Sequence, residues 1–89
     1  MDETAILKQL EELAESLGIT VRYETIKKEG TFYPGGLCRI KGDYAVIINS
    51  MATTRDKIEA FARAVNRFDL NQVYLKPGLR DFLQRLFEE

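Results

Sequence analysis

The sequence predicts an α+β fold: a helix, a strand, a β-hairpin and then two helices around a small, mainly antiparallel sheet. Apolar residues recur at helical spacing near both ends of the chain, the spacing switches to alternation in the middle, and Gly or Pro stands at the changes between them.

The first helix is expected over residues 4–17, where Ile6, Leu7, Leu10, Leu13, Ala14 and Leu17 form one apolar stripe. Gly18 follows where a left-handed cap favours a residue without Cβ. Residues 19–26 then alternate, with Ile19, Val21 and Tyr23 against Thr20, Arg22 and Glu24, as a half-buried strand requires. Two breaks follow, a polar turn at Lys27-Lys28-Glu29-Gly30 and a tight turn at Tyr33-Pro34-Gly35-Gly36.

Leu37 to Ile48 is expected to form the hairpin, with Gly42-Asp43 as its two-residue loop and Lys41 opposite Tyr44. Cys38, Ile40, Ala45 and Ile47 then share a uniformly apolar face, assigned to the core. The opposite face carries Leu37, Tyr44, Val46 and Ile48 beside Arg39 and Lys41, too apolar for a fully wetted surface, and its expected cover is a helix or a second subunit.

The second helix is expected over 54–68, opened by Thr53 and Asp56 at capping-box spacing and buried through Ile58, Phe61, Ala62, Val65 and Phe68. Arg63 and Arg67 point away from that stripe, one turn apart. After a connector at 69–76, in which Val73, Tyr74 and Leu75 suit an extended segment, Pro77 suits the first turn of a last helix. Leu79, Phe82, Leu83, Leu86 and Phe87 give that helix its apolar side.

The chain has 89 residues, which fits one domain over 1–89, and its 45% hydrophobic and 30% charged residues are a normal globular balance. It has a single cysteine, Cys38, so no internal disulfide is available. Met1-Asp2-Glu3-Thr4 is acidic where a signal peptide is basic, and no apolar run approaches a membrane span, so the expected location is the cytoplasm, with no membrane contact. The net charge of −1 divides into −4 over residues 1–20, +3 over 21–41 and zero over 42–89. An excess of three charges argues against a nucleic-acid partner, which calls for a dense basic face.

The chain has no histidine. Zinc sites draw mainly on Cys and His, and no Asp/Glu cluster sits on a loop for calcium or magnesium, so no metal and no cofactor is expected. Cys38 has no histidine to activate it and is expected to be a small buried hydrophobe. Gly35, Gly36 and Gly42 are turn glycines rather than a phosphate loop, because no Gly-Lys-Ser/Thr run follows.

The expected function is therefore a small non-enzymatic protein-interaction domain that self-associates as a homodimer, with another protein as the other partner considered. Leu37, Tyr44, Val46 and Ile48 are its candidate interface. The alternative is a small-molecule or anion-binding domain, in which Arg63 and Arg67 are the candidate anion contacts and Tyr33, Arg39 and Tyr44 the neighbouring polar groups.

Residues 36–68 also carry a resemblance. A hairpin ending in Val46-Ile47-Ile48-Asn49-Ser50 leads into a helix containing Phe61-Ala62-Arg63-Ala64-Val65-Asn66-Arg67. This layout is similar to the core of the zinc metallopeptidases that cleave phage-type repressors, whose helix bears an Ala-His-Glu-apolar-Gly-His run. Ala62 and Val65 match that run, but Arg63 and Arg67 stand at the zinc-ligand positions and Ala64 at the general-base position. Arginine is permanently cationic and does not ligate zinc. The resemblance thus implies an α-β-β-β-α scaffold, related to the peptidase fold, with a non-catalytic role.

Overall fold

A computed structural model describes residues 2–26 and 34–88. The Lys27–Gly30 turn and Tyr33 lie outside the described residues. The elements are α1 (Glu3–Ser16), β1 (Thr20–Glu24), β2 (Gly35–Ile40), β3 (Asp43–Asn49), α2 (Thr54–Val65), a short 3₁₀ turn (Leu70–Gln72) and α3 (Pro77–Phe87).

Local chemistry sets the starts of the helices and the end of α1. Asp2 caps α1 by accepting from the Ala5 amide at 2.8 Å. The end of α1 is a Schellman closure: the amides of Gly18 and Ile19 donate back to the carbonyls of Glu15 and Ala14, with Gly18 at φ +78°. The Thr53 hydroxyl accepts from the Asp56 amide at 3.1 Å and starts α2, and Pro77 opens α3.

The sheet has three strands in the order β1-β3-β2. The hairpin partner β2 runs antiparallel to β3, and β1 joins the other side of β3 in parallel. The sheet is therefore mixed, and β3, the most apolar strand, is central. Ile26 follows the edge strand β1 and Pro34 precedes the other edge strand β2, and Asn49 at the end of β3 bonds both residues. Its backbone amide donates to the Pro34 carbonyl at 2.9 Å. Its side-chain amide donates to the Ile26 carbonyl at 3.3 Å, and its Oδ1 accepts from the Ile26 and Met51 amides. Asn49 is a fully buried polar side chain, and these bonds satisfy it.

Two expectations about the hairpin are corrected. The loop is Lys41-Gly42, not Gly42-Asp43, and Ile40 faces Asp43 while Arg39 faces Tyr44. Both loop residues have positive φ, +52° and +87°, which is the type I′ turn whose twist matches the flanking strands. The second correction concerns the core. Val46 and Ile48 are completely buried beneath the helices, and Leu37 and Val21 pack on the same cluster. Cys38, Ile40, Ala45 and Ile47 lie on the other side of the sheet, where Ala45 is buried as expected but Cys38 and Ile47 are half-buried and Ile40 is 39% exposed. The physical reason is bulk: the Val46–Ile48 side adds Tyr23 and Val21 from β1, a larger apolar set than Ala45 and Cys38 supply.

α1 and α2 cover that side of the sheet, and α3 packs against α1. Leu10, Phe61 and Val65 fill the space between helices and sheet and are fully buried. Each large side chain of this kind contributes on the order of 1.5–3 kcal/mol by leaving water. Tyr23 ties the layers at their rim. Its ring lies 6.3 Å from Phe61 and 5.8 Å from the Lys57 ammonium, and its hydroxyl donates to the Glu11 carboxylate.

Partial burial, then the hydrogen bond to Glu11 and its negative charge, hold the Tyr23 hydroxyl above the ordinary phenol range. The folded pKa is raised, so the neutral phenol is favoured in the fold. That contribution is present in full below the unfolded phenol value of about 10 and is lost as pH rises above it. Ultraviolet titration of tyrosinate will show a late-titrating component that Tyr23→Phe removes, and the variant will lose less stability above about pH 10 than the parent. A Tyr23 that titrates like free tyrosine would contradict the Glu11 contact.

Candidate functional site

The corrected hairpin reassigns the predicted interface. Val46 and Ile48 belong to the interior and are removed from it. Tyr44 lies at the end of the helix-covered face, 38% exposed, with its ring edge-on to Phe68 at 5.1 Å and the Arg39 guanidinium 5.1 Å from its centroid. Leu37 is half-buried. Cys38, expected in the core, is instead a half-buried free thiol on the side of the sheet away from the helices.

Leu37 opens onto a cleft of about 350 Å³ between β2 and α2. Its strand wall is Pro34, Gly35, Gly36 and Leu37, and its helix wall is Asp56, Glu59, Ala60, Arg63, Ala64 and Arg67. The structure thus brings Arg63 and Arg67 together at one site and leaves Arg39 and Tyr44 outside it. A larger depression of about 720 Å³ between the 3₁₀ turn and α3, with Asn66, Leu70 and Arg80 on its rim, adjoins no strand edge.

The strand wall is an edge. Among the described residues β2 is paired on one side only. Ile40 and Asp43 close the two-residue loop and exchange both ladder bonds, so bonding to β3 alternates back along β2 through Cys38 and Gly36. The amides and carbonyls of Gly35, Leu37 and Arg39 therefore point outward, toward the cleft side. Gly35 and Gly36 leave that part of the edge without side-chain cover.

The helix wall is polar in an ordered way. At about 100° per residue, positions 56, 59, 63 and 67 fall within one stripe. It is acidic at the start of the helix and basic at the end. Arg63 bonds Glu59 at 2.8 Å, while Arg67 has no ion pair among the described residues. Asp56 and Glu59 share that stripe with the two arginines, and the i,i+4 spacing of Glu59 and Arg63 already marks their pair in the sequence, whereas Asp56 stands out there only as a capping residue. The signal was present in the spacing, but only the nearby strand edge makes it a site.

Among the described residues no three of His, Cys, Asp and Glu converge, and no helix is long and apolar enough to cross a membrane. No family model, curated protein or solved structure matches this chain.

Proposed function

We propose that this chain is a non-catalytic protein-interaction domain that associates with a second copy of itself, and that the β2 edge beside α2 is its working surface. The observation that supports this most is the open edge. Outward backbone groups at Gly35, Leu37 and Arg39 template another strand, and the usual edge protections, a proline within the strand or a covering element, are absent among the described residues. The cleft wall carries charges of both signs, Asp56 and Glu59 beside Arg63 and Arg67, a mixture that suits complementary contact with a partner surface.

Sedimentation equilibrium or light scattering across the micromolar range tests the reading. A reversible monomer–dimer equilibrium is expected, with weak affinity because a single edge and helix make an interface at the small end of specific ones. A chain that stays monomeric at high micromolar concentration would count against self-association.

A second reading has its own observation. Arg63 and Arg67 line one cleft, and two cations one turn apart suit an anion such as a carboxylate. A thermal-shift titration with inorganic phosphate and with acetate separates the two: stabilisation lost in Arg67→Gln supports the anion reading, and no shift leaves the interaction reading ahead.

A further inference from the structure

We infer that the second copy docks in a two-fold, antiparallel arrangement in which β2 pairs with β2 and the charged stripes of the two α2 helices match. This inference rests on the self-association proposed above and adds which surface is used and in what orientation.

The stripe reads acidic, acidic, basic, basic at Asp56, Glu59, Arg63 and Arg67. A two-fold axis reverses that order on the facing copy, so Asp56 meets the second copy's Arg67 and Glu59 meets its Arg63. The two pairings agree in register to within one residue, about 1.5 Å of helix rise. A parallel arrangement sets like charges against each other instead. Isologous contact is also the commonest way for a small chain to form a closed dimer.

The distances are compatible. α2 contacts both β2 and β3, so its axis lies above the gap between them, about half a strand spacing inside the edge. Pairing two β2 edges at about 4.8 Å then sets the two helix axes roughly 10 Å apart, the separation at which helices pack. Ala60 and Ala64 on the cleft wall keep side-chain bulk low there. Strand pairing supplies directional bonds, and the charges choose antiparallel over parallel.

The test is a charge-swap experiment on the whole chain, read by sedimentation with circular dichroism as a folding control. Arg63→Glu with Arg67→Glu makes the stripe wholly acidic, and Asp56→Lys with Glu59→Lys makes it wholly basic. Each double variant alone should dimerise at least roughly tenfold more weakly than the parent, and an equimolar mixture should recover association as a heterodimer. The parent dimer should also weaken with added salt. Arg39→Pro removes one outward amide without touching the ladder to β3, so it should weaken the dimer while the monomer stays folded. If a double variant does not fold, Arg67→Glu alone, at an exposed position with no described ion pair, carries the same prediction with a smaller change. A parent that dimerises while the charge variants and Arg39→Pro associate as tightly as the parent overturns this interface and leaves self-association standing. A parent that never dimerises overturns both.

Discussion

Ile48→Asp is expected to abolish the folded state. Ile48 sits on the central strand, fully buried, with Gly35 opposite on one side and Tyr23 on the other. Truncating a buried Ile costs about 2–5 kcal/mol, and an unpaired buried carboxylate adds several more. A small domain has roughly 5–10 kcal/mol in total, so the sum consumes its stability. Val46→Asp should behave alike. Circular dichroism will show no cooperative thermal transition for either, whereas Ile40→Asp, on the open side of the sheet, should melt close to the parent. This contrast discriminates sharply between the two assignments of the hairpin faces. If Val46 and Ile48 formed a dimer surface, both variants would be folded monomers, and recovery of such a monomer would overturn the core described above.

The sequence was informative wherever the deciding interaction is local. The α1 stripe ending at Gly18, the Thr53 cap, Pro77 at the start of α3 and the position of the hairpin all follow from residues within a turn of one another. It was ambiguous where distant elements decide. Both hairpin faces are apolar, Cys38, Ile40, Ala45 and Ile47 against Leu37, Tyr44, Val46 and Ile48, so alternation alone does not choose between them. The choice was made by β1, which inserts in parallel beside β3 and adds Val21 and Tyr23 to one side. The loop was misplaced for a related reason. Gly-first turns and Gly-second turns both suit Lys41-Gly42-Asp43, and the observed one requires Lys41 to accept φ +52°, a small cost that local preference counts against. Arg63 and Arg67 were visible on the helix wheel, but their proximity to the strand edge depends on α2 folding back over β2, which no local pattern encodes.

Gly35→Ala is the second substitution expected to have a large effect, through the backbone rather than the core. Gly35 has φ +141°, a conformation L-residues rarely adopt. A Cβ built there overlaps the Ile47 carbonyl oxygen and lies 3.0 Å from the Ile48 Cα, so it meets the backbone of the neighbouring strand rather than a side chain that can turn aside. Conformational strain of about 1–3 kcal/mol and a comparable overpacking term together suggest a loss of roughly 3 kcal/mol. For a chain of this size that lowers the melting temperature by roughly 10–20 °C. Gly42→Ala provides the comparison. Gly42 is also at positive φ, +87°, but nothing lies within 4 Å of its Cβ position, so its cost is the conformational term alone, about 1 kcal/mol. The difference between the two melts isolates the clash. Equal losses would mean that β2 does not approach β3 as closely at Gly35 as described. A much larger loss at Gly35 would show that glycine is required there to set the start of β2 against the central strand, and with it the position of the open edge at the cleft.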